Sequence, residues 1–425
     1  MSASKPAKVL VSSFAFNPID GSECAVGWNY VRAIAARRRV WVMTRSLERE
    51  KTEPHLLAHP EEMPNVTVLY VGERFRNLGG PVGKITNFWR YQLWHWEASR
   101  LGRRLDKEID FDLMHHVTGT GFREPGHLWK LGKPFVWGPV CGLQYIPMNL
   151  LNAVPLRSRP FFVLKNLSTA WSTHVSRRPR RAARAAKGLI AGSSAIAGKI
   201  KSLWGRDAEV CCEVTAPVLE PRPPLRRGPD VPLRIVWCGS CDPLKALNIV
   251  LLALEKLKGS AIDWRLIAVG DGPLLENWKQ LARRLGLDAR CKFLGRVSRA
   301  EVQTVMETGH CLVQPSIYDA TTTVVAEALA HGLPVICLDH FGFGDAVDAE
   351  SGIKIPPQTL KQVIQGFAAA IEAIASDEGR RYAMAIAAQR AAQRLSWRHK
   401  EKVINDVYGR ILPAVALPSP CGERG

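Results

Sequence analysis

Acidic residues are scarce in one part of this chain. Of 425 residues, 58 are Lys or Arg and 39 are Asp or Glu, a net charge of +19. Residues 1–215 hold 32 basic and 17 acidic residues, so the remainder holds 58−32 = 26 basic and 39−17 = 22 acidic ones, and the two parts carry +15 and +4. Between 125 and 206 there are 14 basic residues and no acidic one. The densest basic cluster consists of Arg177, Arg178, Arg180, Arg181, Arg184 and Lys187.

A field of one sign attracts anionic partners. An anionic membrane surface or a pyrophosphate-bearing lipid fits this pattern. Nucleic acid is a further candidate, although the rest of the sequence disfavours it. The structural alternative is a solvated charged face, but such faces usually mix both signs.

Long apolar segments are also missing. The longest uncharged run, 134–156, contains four prolines, which would break a membrane-spanning helix repeatedly. Residues 1–8 lack the apolar stretch of a signal peptide. We therefore predict a cytoplasmic protein that lies peripherally at the inner face of a membrane.

Ten cysteines are present, but none falls in paired metal-ligand spacing. Cys238 and Cys241 form a lone C-x2-C without a second pair, a weak motif for metal binding or redox chemistry. Scattered free cysteines fit a reducing compartment. From the cysteines we therefore expect no bound metal and no redox cofactor.

Apolar runs alternate with amphipathic stretches through the first half of the chain. We predict buried strands at 8–16, 39–44, 66–71, 111–117, 134–140, 188–192 and 209–214, with helices between them. This alternation is typical of a parallel sheet with helices on both faces.

A proline-rich segment at 217–232 is typical of an interdomain linker. Strands are predicted again at 233–238, 264–269, 291–294, 311–314 and 334–338. The fold class is therefore α/β, with doubly wound domains at 1–216 and 233–395 that face a central cleft. A helix at 396–412 is predicted to return to the first domain, before a disordered tail at 413–425. Ligands of such sheets lie at the carboxyl ends of the strands.

The segment with most chemical character is PSIYDATTTVVAEALAHGLP at 315–334. A helix is predicted to begin near Thr323, so Thr321, Thr322 and Thr323 would offer backbone N–H groups and hydroxyls to a phosphate. Asp319 precedes this turn and Glu327 lies one turn inside the helix, where each carboxylate can accept hydrogen bonds from sugar hydroxyls. The structural alternative makes Asp319 a helix cap and Glu327 a buried structural acid.

This segment resembles the signature of family 4 retaining glycosyltransferases, which have the GT-B fold of two Rossmann-like domains. The signature is an acid, seven residues and Glu-Ala, followed by a small-Gly-x-Pro-Val turn, and 319–335 matches it. The resemblance implies that Asp319 contacts the donor sugar and Glu327 the ribose. Most members have Glu at the first position, so the shorter Asp319 puts the sugar specificity in question.

Three more segments resemble the family in the same order. WCG at 237–239 with PLKA at 243–246 is similar to the donor-phosphate loop, which implies that Gly239 lies against the donor and Lys245 binds its phosphate. The alternative for Lys245 is an exposed loop lysine. Ser240 replaces the family's arginine, at a cost on the order of 1–3 kcal/mol of donor affinity if nothing replaces that cation. VGDGP at 269–273, which contains Gly270, and FLGRV at 293–297 are similar to its glycine turns.

The amino half also resembles this family. The loop at 20–23 is similar to the first strand-to-helix loop, which implies that Gly21 and Ser22 approach the donor phosphates. DLMHH at 112–116 is similar to the Asp-x-x-His strand end that faces the cleft, so His115 or His116 is implied to steer the acceptor or the transferred sugar. Val117 stands where many members have a second histidine, which leaves open which of the two rings lines the site.

The resemblance implies transfer of a sugar from a UDP- or GDP-sugar to a lipid-linked or saccharide acceptor, such as a polyprenyl-linked saccharide, in polysaccharide biosynthesis. No Asp-x-Asp motif stands where a metal-dependent fold would need one. The alternatives are a nucleotide-sugar epimerase of the same fold and a non-catalytic nucleotide-sugar binder. A Rossmann dehydrogenase is disfavoured, because neither half has G-x-G-x-x-G after its first strand.

Overall fold

The computed structural model describes residues 5–20, 23–72, 81–220, 222–319 and 323–412, with the side chains of 81–88 excepted. Four predicted site residues, Gly21, Ser22, Thr321 and Thr322, lie outside the described residues. The tail at 413–425 lies outside them too.

The first half forms a parallel sheet with the strand order β3-β2-β1-β4-β5-β6-β7. Its strands are β1 (Lys8–Ser13), β2 (Arg39–Arg45), β3 (Val66–Val71), β4 (Leu113–Thr118), β5 (Phe135–Val140), β6 (Gly188–Ala191) and β7 (Glu209–Val210). All seven coincide with predicted apolar runs. β1 is shorter than predicted, because the hydroxyl of Ser13 donates to the carbonyl of Ala15 and turns the chain there.

The second half forms another parallel sheet, with the strand order β10-β9-β8-β11-β12-β13. Its strands are β8 (Leu233–Cys238), β9 (Trp264–Val269), β10 (Cys291–Gly295), β11 (Cys311–Gln314), β12 (Val335–Leu338) and β13 (Gly352–Ile355). The strand order reverses between β1 and β4 and again between β8 and β11. Ligands of open α/β sheets bind beside such reversal points. The prediction of two doubly wound α/β domains is thereby confirmed.

Fourteen α-helices are found in the described ranges. They are α1 (Glu23–Ala35), α2 (Arg49–Ala58), α3 (Pro81–Ile109), α4 (Arg159–His174), α5 (Arg177–Ala185), α6 (Ser194–Trp204), α7 (Leu247–Lys256), α8 (Leu275–Arg284), α9 (Arg299–Thr308), α10 (Thr323–Ala330), α11 (Phe343–Ala346), α12 (Leu360–Ser376), α13 (Glu378–Arg394) and α14 (Trp397–Gly409). Local signals set several ends. Ser298 with Glu301 and Thr359 with Gln362 form capping boxes, which satisfy the free N–H groups of α9 and α12.

The two halves are joined by more than the chain between them. A short 3-10 helix at Met148–Ala153, before α4, contributes Leu150 and Ala153 to the core of the second half. The side-chain amide of Asn149 donates to the carbonyl oxygens of Pro357 and Gln358, each at 2.7 Å. In return, α14 packs against α1 and places Tyr408 in the core of the first half. Each half therefore buries a segment of the other side of the molecule.

The proline-rich segment at 217–232 is irregular but held in place. Arg227 pairs with Glu378, and the guanidinium of Arg381 donates to the carbonyl of Leu225 at 2.6 Å. The segment is therefore anchored along α13.

Among the described residues, no helix has the length and apolarity needed to cross a bilayer. The uncharged run at 134–156 forms β5, a loop and short 3-10 turns.

Candidate active site

Lys245 lies in the loop between β8 and α7, and Asp242 shapes that loop. One carboxylate oxygen of Asp242 accepts from the backbone N–H of Leu244 at 2.8 Å and from that of Lys245 at 3.3 Å. The other accepts from the hydroxyl of Ser240. The N–H of Ile317 donates to the carbonyl of Leu244 at 2.7 Å, which ties this loop to the segment that follows β11.

This tie brings Lys245 to Asp319. The ammonium of Lys245 forms an ion pair with the carboxylate of Asp319, and both side chains are largely buried. Burial raises the pKa of Asp319, and the charge of Lys245 lowers it by less. Lys245, predicted to bind phosphate, and Asp319, predicted to bind the sugar, are therefore in direct contact, and their charges compensate each other. Lys245 is not the exposed loop lysine of the structural alternative.

Glycine turns lie side by side next to this pair. Gly270 has φ of +134°, and a Cβ there would lie 1.8 Å from the carbonyl oxygen of Gly239. The N–H of Gly270 donates to the carbonyl of Gly295 at 2.8 Å. A side chain at Gly270 would push the ends of β8 and β9 apart, since only glycine tolerates both this φ and this approach. A Cβ at Gly239 would lie 3.6 Å from the side chain of Lys245, so these turns lie beside that lysine.

Glu327 lies on α10, and Thr323 is the exposed first residue of that helix. Burial raises the pKa of Glu327, while the charge of Arg299 lowers it. Cys238, at the end of β8, packs against the cluster that contains Ala326 and Ala328, the two neighbours of Glu327 in sequence. Lys245, Asp319 and Glu327 therefore lie on the loops and helices that follow β8 and β11.

His115 does not face the cleft. Its ring is fully buried, with Nε2 2.9 Å from the carbonyl oxygen of Gly138 and Nδ1 2.7 Å from the hydroxyl of Tyr408. Because a carbonyl only accepts, Nε2 carries the proton and Nδ1 accepts from Tyr408. Burial lowers the pKa of His115 to about 3. Both ring nitrogens are used within the core, so we withdraw the prediction that His115 contacts a substrate.

His116 points to the opposite face of β4 and is also buried. Its Nδ1 lies 3.4 Å from the hydroxyl of Ser12, and its ring centroid lies 5.1 Å from that of His95. Burial lowers the pKa of His116 to about 4, so the ring is neutral at pH 7. The ring also interacts with the backbone of Gly119 and Glu124, in the loop after β4.

Glu23, the first residue of α1, makes a contact that the sequence motifs did not indicate. Its carboxylate accepts from the N–H of Gly119 at 2.7 Å and from that of Thr120 at 3.4 Å. Glu23 therefore fixes the loop after β4 to the start of α1. A signal existed, because an acid in the first turn of a helix stands where backbone N–H groups are free, but sequence alone does not reveal the distant partner.

A second missed feature lies at the end of β11. The side-chain amide of Gln314 and the hydroxyl of Ser316 are buried and have no hydrogen-bond partner within the described ranges. Buried polar groups without partners are uncommon in folded proteins. They precede Asp319 by a few residues and so belong to the same corner of the cleft.

Possible metal ligands lie elsewhere. Asp20, Cys24 and Glu48 bring ligand atoms within 4.8 Å of one another. However, Lys51 pairs with Asp20 and Arg45 pairs with Glu48, so the carboxylates have cationic partners. The sequence DFD at 110–112 lies at the amino end of β4, on the far edge of the sheet from the cleft.

The exposed part of the basic cluster is smaller than the sequence indicated. Arg178 pairs with Glu124 at 2.9 Å and donates to the side chain of Gln92 at 2.9 Å. It therefore serves to hold α5 in place. Arg177, Arg181, Arg184 and Lys187 are exposed.

The sheet topology and the cleft define the class of the protein. The chain superimposes on the lipopolysaccharide outer core galactosyltransferase WaaB with a TM-score of 0.64 and 15% identity, covering 95% of this chain and 100% of that one. It superimposes on HepE of Anabaena in complex with UDP with a TM-score of 0.58 and 16% identity, covering 95% and 99%. The fold is GT-B, as the sequence resemblance implied.

The second half matches a known family. Residues 229–391, fewer than half of the chain, match the family described as glycosyl transferases group 1. A D-inositol 3-phosphate glycosyltransferase of Rhodococcus opacus is 29% identical over 183 residues. That match covers 41% of this chain and 40% of the relative, so the similarity spans less than half of either protein.

Proposed function

We propose that this protein is a retaining glycosyltransferase that moves a sugar from a nucleoside diphosphate sugar to an acceptor. The observation that carries this proposal is the ion pair of Lys245 and Asp319 beside the glycine turns, within the matched region 229–391. A diphosphate leaving group needs a cation, and the transferred sugar needs hydrogen-bond acceptors. The pair supplies both at one place.

The chemistry requires little covalent assistance. Lys245 and the amino terminus of α10 would stabilise the negative charge that develops on the departing diphosphate. Asp319 would accept from hydroxyls of the sugar and Glu327 from those of the ribose. Retention of the anomeric configuration and independence of divalent metal are carried over from the family resemblance. A chelator is accordingly expected to leave turnover unchanged.

Donor and acceptor are proposed at the level of their class. UDP or GDP is the expected nucleotide, and the UDP complex of HepE supports a uridine donor. WaaB acts in the outer core of lipopolysaccharide, which supports a lipid-linked saccharide acceptor in polysaccharide biosynthesis. Exposed Arg177, Arg181, Arg184 and Lys187 would hold the protein at the anionic inner face of a membrane.

The test combines donor binding with product analysis. A panel of UDP-, GDP- and ADP-sugars is compared by thermal shift, and the donor that stabilises most is incubated with lipid-linked saccharides. We expect a glycosylated acceptor with the anomeric configuration of the donor, as read by NMR. Free epimerised nucleotide sugar without acceptor product would identify an epimerase instead. Donor binding without any reaction would identify a non-catalytic binder.

A further inference from the structure

The face of α4 that points to solvent is apolar. Phe161, Leu164, Leu167 and Trp171 are between 60% and 66% exposed. They are spaced three or four residues apart, so they form one stripe along the helix, which we name the α4 stripe. On the opposite side of α4, Phe162, Thr169 and Thr173 are buried.

The stripe belongs to a rigidly held element. The guanidinium of Arg123 donates to the hydroxyl of Thr169 at 2.8 Å. The side chain of Asn166 accepts from the N–H of Ile146 and donates to its carbonyl, each at 2.9 Å. Lys165 lies 3.7 Å from the centre of the Tyr318 ring, next to Asp319. Exposure of the stripe is therefore a property of the fold.

Exposed apolar side chains concentrate around this helix. Sixteen large hydrophobic residues are exposed within the described ranges, and seven of them fall between 148 and 175. Beyond the stripe these are Met148, Leu156 and Val175. Single exposed hydrophobic residues are ordinary, but a contiguous patch marks a surface that is covered in use.

The positive charge beside the α4 stripe indicates which kind of partner covers it. α5 begins three residues after α4 ends and carries exposed Arg177, Arg181 and Arg184. The sequence between 125 and 206 has no acidic residue to balance them. A second copy of this chain, placed symmetrically over the stripe, would bring two such fields together at a cost in repulsion. An anionic bilayer offers the opposite charge and an apolar layer beneath it.

We propose that the α4 stripe inserts into the interfacial layer of an anionic membrane, with α4 lying in the plane of the bilayer. Helices of this kind place apolar side chains below the headgroups while basic side chains contact the phosphates. The inference deepens the proposed function and rests on its membrane-side acceptor. It adds a defined docking surface on α4, a helix that also contacts the second half of the chain. Membrane binding through this helix would hold the cleft close to the headgroups, where a lipid-linked acceptor lies.

The experiment is co-sedimentation of the full chain with vesicles. One vesicle is phosphatidylcholine alone, and the other is an equal mixture of phosphatidylcholine and phosphatidylglycerol. The test variant carries Leu164→Asp and Trp171→Asp. The matched control carries Leu57→Asp and Ile386→Asp, which place the same charges at exposed apolar positions of α2 and α13.

We expect the wild type and the control to bind the mixed vesicles, and the test variant to bind them at least about tenfold more weakly. Unchanged binding of the test variant would overturn the proposal, as would a wild type that binds neither vesicle. Thermal unfolding and Trp171→Ser alone show that the loss does not come from misfolding.

Two measurements separate this inference from its alternatives. Sedimentation velocity without lipid reports whether the wild type is a dimer that the test variant dissolves, a result that would assign the stripe to a second copy. Binding of UDP in solution reports the donor site. If the test variant no longer binds vesicles but still binds UDP, the proposed function is unaffected. If the wild type does not bind UDP, the proposed function itself fails.

Discussion

The two halves of this protein use one strand order for two kinds of chemistry. In each sheet the order reverses between the first strand and the fourth, and the loops after those strands meet at the cleft. In the second half these loops bring together charged groups, Lys245 and Asp319. In the first half the ends of β1 and β4 themselves hold uncharged or buried groups. The hydroxyls of Ser13 and Thr118 lie 3.2 Å apart, and His115 and His116 are buried. The acid Glu23 accepts from backbone N–H groups of the loop after β4.

Under the proposed function, this difference separates a half with a fixed chemical requirement from a half without one. A diphosphate sugar presents the same charges whatever sugar it carries, so the donor half needs a cation and glycine turns. An acceptor varies in shape and charge, so the acceptor half is free to diverge. The family match at 229–391 covers only the half with the fixed requirement.

We expect the largest effect from a substitution in the donor half. Lys245→Ala removes the cation that would stabilise the leaving group, and we expect transfer to fall about 100- to 1,000-fold, which corresponds to about 3–4 kcal/mol. Steady-state kinetics with the preferred donor measures it. Lys279→Ala is the control, because Lys279 pairs with an exposed glutamate on α8. Turnover close to wild type in Lys245→Ala would remove this residue from the site.

Glu327→Gln tests the second acid of the donor half. A neutral amide accepts hydrogen bonds from ribose hydroxyls more weakly than a carboxylate, so we expect donor affinity to fall about 10- to 100-fold, or about 1.5–3 kcal/mol. Isothermal titration with the nucleoside diphosphate reads the change directly. Glu372→Gln, at an exposed position of α12, serves as the comparison. Equal affinities of the two variants would favour a structural role for Glu327.

In the acceptor half we expect a loss of stability instead of catalysis. Tyr408→Phe leaves Nδ1 of His115 without its partner, at an expected cost of about 1–3 kcal/mol in the free energy of unfolding. Urea unfolding measures this cost, while kcat is expected to stay within about twofold. Tyr382→Phe keeps a ring that stacks under Arg226 and is the matched control. A kcat that collapses without loss of stability would return His115 to the catalytic site.

The buried histidines also predict a pH dependence. Burial lowers the pKa of His115 from 6.5 to about 3. Between these two pH values the ring is protonated in the unfolded chain and neutral in the folded one. Stability is therefore complete above pH 6.5 and falls towards pH 3, by about 1.4 kcal/mol per pH unit for this one group. His115→Gln should flatten the profile by one proton. Identical slopes in the wild type and the variant would contradict the assignment.

Ser240→Arg gives the smallest expected effect and sharpens the comparison. It restores the family's second cation, and we expect the KM for the donor to fall by up to about tenfold, or about 1.4 kcal/mol. Ser240→Ala separates the loss of the hydrogen bond to Asp242 from the gain of charge. An unchanged KM in Ser240→Arg would show that the loop does not direct this position at the donor.

Much of this architecture was predictable, because strand order follows from alternation and from the rule that such sheets are doubly wound. β13 was missed. It has four residues and starts at Gly352, whose missing Cβ would lie 2.2 Å from the carbonyl oxygen of Val335. In a sequence, a glycine at this place suggests a turn. Its actual cause is the close approach of β12, which the sequence does not reveal.

The candidate site divides in the same way. The loop motifs around Lys245 and Asp319 are local, so their residue types and spacing were sufficient to find them. The role of His115 was wrong, because its partners Tyr408 and Gly138 are distant in sequence. The α4 stripe was missed as well. Apolar residues occur on both sides of α4, so periodicity alone does not say that Phe162 is covered and Phe161 is not.

The ion pair of Lys245 and Asp319 has a consequence for turnover. A free nucleoside diphosphate would take the ammonium away from Asp319 and leave a largely buried carboxylate without a partner. An intact sugar nucleotide compensates, because its hydroxyls replace the ammonium at that carboxylate. Under the proposed function, re-formation of the pair would compete with the remaining diphosphate once the sugar has left. Asp319 would thereby favour release of the nucleoside diphosphate and leave the cleft open for the next donor.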